Sequence, residues 1–181
     1  RQAKLTVPAE TYDKVRQWLN QSADPEAKHL YRYNPYVDTA DRATGHGSVA
    51  NPSMTSVGLL MRLYTGWQTS ETRTISGADY LKEYLPSLGR DQDGNNQHDT
   101  YYWYYGTQVM FHMGGEYWKA WHDRLHPLLI NSQRTEGELA GSWSPANDKW
   151  GKYAGRFYVT TMNLLSLEVH YRHLPLYETG P

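Results

Sequence analysis

The chain contains no cysteine. That absence removes disulfides, thiolate nucleophiles and every zinc site that depends on sulfur. Phenylalanine is scarce, with 2 residues against 16 tyrosines and 7 tryptophans. The aromatic side chains therefore carry polar handles, which suits surfaces that are half packed and half wet. Basic charge is not in excess: 18 lysines and arginines face 19 acids, for a net charge of -1. With no basic field to gather phosphates, nucleic acid is not an expected partner. No apolar run is long enough to span a bilayer, and no signal-peptide pattern is present, so no membrane span is expected. The first residue is Arg1 rather than Met, which reads as a processed chain or an excised domain. Its 181 residues suit one domain or a compact piece of a larger protein.

What is present is a pattern that returns three times. A helical segment with a polar face is followed by a loop and then by a segment apolar or aromatic nearly all round. The first members span roughly Pro8–Gln21, Gly77–Leu85 and Glu116–Ser132, and the second Pro52–Leu63, Asp99–Met113 and Arg156–His173. Tyr12, Val15, Trp18 and Leu19 form one stripe, Tyr80, Leu81, Tyr84 and Leu85 another, and Trp118, Trp121, Leu125, Leu128 and Leu129 a third. Thr6 is the expected cap of the first helix, Asn51 of the second and Ser76 of the third. Gly66 and the pair Gly114-Gly115 are expected to end the second and fourth. Met54, Val57, Leu59, Leu60, Met61 and Leu63 leave almost no polar face, and neither do Leu164, Leu165, Leu167 and Val169. Helices of that kind must be covered on more than one side. The pattern predicts an all-α fold of about three helical hairpins, outer helices alternating with inner ones, in an arc or half of an α/α toroid.

The third junction carries a resemblance. Leu129-Ile130-Asn131-Ser132-Gln133, followed by Gly141-Ser142-Trp143, resembles the Gln-Trp repeat of squalene cyclases and related α/α-toroid proteins. The runs Tyr101-Tyr102-Trp103-Tyr104-Tyr105-Gly106-Thr107-Gln108, Met113-Gly114-Gly115-Glu116 and His170-Tyr171-Arg172-His173-Leu174-Pro175-Leu176-Tyr177 are similar to segments of large bacterial proteins with prenyltransferase/squalene-oxidase repeats. The resemblance implies structural work for Gln133, Gly141 and Trp143: the Gln bonds backbone ends of neighbouring helices and the Trp stacks on the next hairpin. It implies other repeats of a larger parent chain, or a homo-oligomer, as partners, and an exported or cell-envelope setting. The family's chemistry does not carry over. Squalene–hopene-type cyclases protonate from Asp-x-Asp-Asp, whereas Asp91-Gln92-Asp93-Gly94 lacks the paired acids and adjoins a turn composition in Asn95-Asn96. The zinc site of prenyltransferase β-subunits needs a cysteine.

Position in the repeat still says where a site belongs. The long loops, about Ser22–Asn51, Pro86–His98 and Arg134–Gly155, should emerge at one end, together with the N-termini of the inner helices. They carry Tyr31, Tyr33, Tyr36, Asp38, Asp41, His46, Asp91, Asp93, His98, Asp99, Trp143, Asp148 and Trp150. Tyr101, Tyr105, Gln108 and His112 add a polar stripe along an inner helix, either lining a cavity or forming an internal network. Tyr101, Tyr105, Gln108, His112, Asp99, Trp150 and His46 are the candidate binding residues, for a carbohydrate or a small polar ligand. No catalytic residue and no cofactor are assigned. His122 and His126 stand at a spacing metals can use, but no Glu follows His122 and Lys119 opposes a cation, so no metal site is expected. His170 and His173 sit near a helix C-terminus that favours cations. Glu168 is expected to pair with Arg172. Two readings follow. One is a non-catalytic ligand-binding or protein-interaction module. The other is an enzyme of the α/α-toroid group, terpenoid cyclase-like or polysaccharide-acting, using loop carboxylates, Tyr and His.

Overall fold

A computed structural model describes residues 6–37, 46–90, 94 and 96–172. The fold is all-α. Six helices follow in order: α1 (Ala9–Ser22), α2 (Pro52–Tyr64), α3 (Thr72–Glu83), α4 (Thr100–Met113), α5 (Gly115–Ser132) and α6 (Gly151–Arg172). The only β pairing among the described residues is two isolated bridges, Ala23 with Tyr31 and Arg90 with Asn96. The chain divides into two compact units, Arg1–Gly77 and Ala78–Pro181. The acidic run at Asp91-Gln92-Asp93, together with Asp38, Asp41 and His173, lies outside the described residues.

In the first unit α1 packs against α2. Asn51 caps α2 through Met54 N–H at 2.9 Å, with Pro52 in the first turn. Gly66, at φ 115°, follows the helix end, and Trp67 N–H bonds back to Arg62 C=O at 2.9 Å. The centre of this unit is Tyr31, 1% exposed. Its ring lies directly over Gly58, where any β-carbon would collide with it. Its hydroxyl accepts from Arg62 Nε at 3.0 Å, and Arg62 also donates to Asn20 Oδ1 at 2.7 Å and covers the Trp67 ring at 4.7 Å. A buried guanidinium is tolerable only with its donors engaged in this way. Two expected helix starts are corrected. No side chain caps α1, so Thr6 does not. Helix α3 starts at Thr72 rather than near Ser76, because the Glu71 carboxylate ties back to Gln68 N–H at 3.0 Å and Glu71 C=O already accepts from Ile75 N–H.

In the second unit α4 packs on both α5 and α6. Gly106 leaves space for Trp121, since a β-carbon there would come within 2.5 Å of the indole. The Trp121 indole N–H donates to Thr107 Oγ1 at 2.9 Å, and Thr107 donates to Trp103 C=O at 2.6 Å. Tyr102 meets Trp121 edge-on at 5.5 Å and donates to Tyr84 C=O at 3.0 Å. Helix α4 is covered as an inner helix should be, with Trp103, Val109 and Met110 almost fully buried. Helix α6 is not. It breaks at Gly155 (φ 77°), so its regular part begins at Arg156. From there Val159, Asn163, Ser166 and Val169 face the core, while Phe157, Leu164 and Tyr171 face outward. Covering on several sides was expected from composition, but the apolar residues of α6 divide between two faces.

Trp143 and Gln133 make different contacts at the third junction. Trp143 is 3% exposed and donates from its indole to Leu129 C=O at 2.9 Å. Arg156 donates to Trp143 C=O at 2.9 Å, so the tryptophan fastens the end of α5 to the regular part of α6. Gln133 acts within its own loop rather than between helices, donating to Gly141 C=O at 2.9 Å across the loop neck. Replacing Trp143 by Ala should cost about 3–5 kcal/mol, the range for deleting a buried large aromatic. Chemical denaturation of the variant measures it, and a loss below about 0.5 kcal/mol would contradict this packing.

Candidate functional site

Two of the three long loops meet at the N-terminal end of α4. Asn96 Nδ2 donates to Asn147 C=O at 2.7 Å, and Lys149 N–H donates to His98 C=O at 2.8 Å. This junction brings two buried carboxylates together. Asp99 caps α4 by accepting from Tyr102 N–H at 3.0 Å. Asp148 reaches across from the other loop and accepts from Thr100 N–H at 2.9 Å, and from Trp150 N–H at 2.9 Å. The first turn of a helix leaves N–H groups without intrahelical partners, and acceptors of negative charge are favoured there. Lys149 adds an ammonium 3.3 Å from Asp99 Oδ2.

Around the carboxylates stand groups that could handle protons. His98 stacks on the buried Trp103 ring, 4.9 Å between centroids and 10° between planes. Burial pulls its pKa below the usual imidazole value, although Asp148 and Asp99 act in the opposite direction. Tyr101 and Tyr105 pack together at 4.8 Å. Burial pushes the Tyr101 phenol up to about 12, with Tyr105 adding to the effect. Tyr158, absent from the sequence-based candidates, also rises to about 12, through burial and then the charges of Asp148 and Asp99. These phenols hold their protons at neutral pH and can donate hydrogen bonds. They cannot serve there as bases.

The expected binding residues separate into groups. Asp99 and Tyr101 belong to this junction, with Tyr105 stacked on Tyr101. Trp150 borders it, exposed at 43% with the Lys149 ammonium 5.6 Å from its ring. Gln108 and His112 are buried further along α4, where the Gln108 amide donates to Tyr104 C=O at 3.4 Å. They belong to an internal polar stripe. His46 is an exposed residue of the first unit, with its ring 6.2 Å from that of Tyr33. Lys149 and Tyr158 were not singled out from the sequence, and Asp148 was placed among the loop residues at this end but not among the binding candidates. A periodicity argument along α4 cannot find them, because a second loop delivers Asp148 and Lys149 and helix α6 delivers Tyr158.

A separate cleft opens among α4, α5 and α6, bordered by Thr107, Trp118, Trp121, His122, Ser166 and His170. It has room for about one water molecule, far below the several hundred Å³ of a small-molecule site. Lys119 does not confront the histidines as a lone cation, because Asp123 holds it at 2.7 Å. His170 is displaced opposite to the direction expected for a helix C-terminus: burial, then the neighbouring His122 and His126, lower its pKa. Among the described residues no group of three or more His, Asp or Glu side chains is arranged to hold a metal ion. The Arg172 side chain, the expected partner of Glu168, lies outside the described residues.

The chain matches no protein-family model, no curated protein and no solved structure. The squalene cyclase-like resemblance therefore rests on the sequence fingerprints alone. At the α4 junction the carboxylates are engaged with backbone N–H groups, so their first role is architectural. Asp148→Ala strips the acceptor from the buried Thr100 N–H and should destabilise the protein by about 1–3 kcal/mol. Asp148→Asn, which keeps one side-chain oxygen, should lose less. Urea denaturation of both variants tests this, and unchanged stability in the alanine variant would assign Asp148 to something other than capping.

Proposed function

We propose that the chain is a non-catalytic protein-interaction module on a helical-hairpin scaffold, docking a partner helix on the outward face of α6. One observation carries the reading. Phe157, Leu164 and Tyr171 are 86%, 43% and 82% exposed and recur at i, i+7 and i+14 on a continuous helix. Single exposed apolar residues are ordinary, but a row at heptad spacing is the seam that another helix packs against. The row is self-complementary. A two-fold axis through Leu164 sets Phe157 opposite Tyr171 of a second, antiparallel copy, and Leu164 opposite itself. A second copy of the chain is therefore the partner we assign.

The polysaccharide-acting alternative draws on the carboxylates, imidazole and phenols at the head of α4. It is the weaker reading, because Asp99 and Asp148 are committed to helix capping and the phenols keep their protons. Sedimentation velocity over a concentration series tests the module. The wild type should self-associate. Phe157→Asp should be monomeric at the same concentrations, with unchanged helicity and thermal midpoint, because its side chain contributes little to the core. A wild type that stays monomeric throughout, or a Phe157→Asp variant that associates equally, would overturn the proposal.

A further inference from the structure

The cleft between α5 and α6 gathers three histidines, two from α5 and one more than forty residues later on α6. His122 and His126, one turn apart on α5, stack at 4.9 Å with 27° between their planes. His170 arrives from α6 and meets His122 edge-on at 6.0 Å. Trp118 closes one side, 5.0 Å from His122 and 6.3 Å from His170. Neutral imidazoles pack against each other and against indole as ordinary aromatic rings. Imidazolium rings at these separations repel one another, and only His among side chains changes charge unaided between about pH 5 and 8.

The surroundings supply little to offset that repulsion. On α5, Asp123 lies 3.9 Å from His122 Nδ1, but the same carboxylate is held by Lys119. Arg124 on α5 adds a positive charge, and its guanidinium is engaged with Pro86 C=O at 3.0 Å. From α4 the cleft receives the uncharged Thr107. On α6, Glu168 is half-buried two residues before His170, and its carboxylate would favour a charged imidazole. The pKa of His170 is lowered, first by burial and then by the two imidazoles of α5.

We infer that His122, His126 and His170 form a proton-sensitive latch between α5 and α6, closed while the cluster is neutral and loosened as positive charge accumulates in it. The inference stands independently of the docking face. Its sign follows from linkage. A histidine whose pKa is lower in the folded than in the unfolded state binds fewer protons when folded. Its contribution is fully present above the ordinary value of about 6.5 and is lost as pH falls below it towards the folded value.

Imidazole NMR titration of the intact protein tests the coupling. His170 should titrate below the ordinary midpoint, and His122→Gln and His126→Gln should each move that midpoint upward. His126 is exposed, so His126→Gln keeps the test available if His122→Gln fails to fold. Denaturation at several pH values should show the wild type losing stability more steeply than His170→Gln on acidification. The comparison with His170→Gln removes the parallel contribution of His98. A His170 midpoint at or above the ordinary value, one unmoved by either α5 variant, or parallel stability curves for wild type and His170→Gln would overturn the latch.

Discussion

The second unit depends on one close approach: the Trp121 indole set against the bare backbone of Gly106. It brings α5 down onto α4 and aims the indole N–H at Thr107, whose hydroxyl is itself tied to the α4 backbone. A buried indole needs that partner, because an unpaired N–H in the core costs about as much as the packing of a small side chain provides. Tyr102 then has a flat surface to meet edge-on and can direct its hydroxyl to Tyr84 C=O. The first unit uses the same device, with the ring of Tyr31 over Gly58 and the hydroxyl satisfied by Arg62. A chain with 16 tyrosines, 7 tryptophans and 2 phenylalanines builds its core from rings that must also be hydrogen-bonded. Glycines opposite those rings are what allow both conditions together.

The head of α4 follows from another constraint, the unpaired N–H groups of a helix start. Asp99 is local and caps its own helix. Asp148 comes from a loop that closes nearly fifty residues later and takes the N–H of Thr100. The result gathers acids, an imidazole and phenols, a collection that looks catalytic when read as composition. Hydrogen bonding gives most of those groups structural employment, and burial raises the already protonated phenols further.

Helix α6 joins the two inferences. Its inner face packs on α4, its outer face presents a heptad row, and near its C-terminal end His170 leans on the histidines of α5. The break at Gly155 sets the direction of this helix, and Trp143 with Arg156 holds it just beyond that break. One helix thus faces both the core and the solvent with apolar residues, so hydropathy alone could not assign it to the interior.

Much of the fold was legible in the sequence because helix periodicity and caps are local. The all-α class, α2 with its Asn51 cap and the end of α4 at Gly114 follow from spacing over a few residues, whereas a packing role for Trp143 was implied by the repeat resemblance. Two local expectations failed: Glu71 starts α3 early, and Thr6 does not cap α1, which begins with no side-chain cap. Contacts between distant segments left no periodic signal. Asp148 on the start of α4 is delivered by a docked loop, and Tyr158 beside the carboxylates and His170 against His122 by helix packing, none of which a local pattern encodes. Tertiary structure also set the pKa shifts. Burial raises the Tyr101 and Tyr158 phenols and lowers His98 and His170, because desolvation depends on what surrounds a residue and not on its neighbours in the chain.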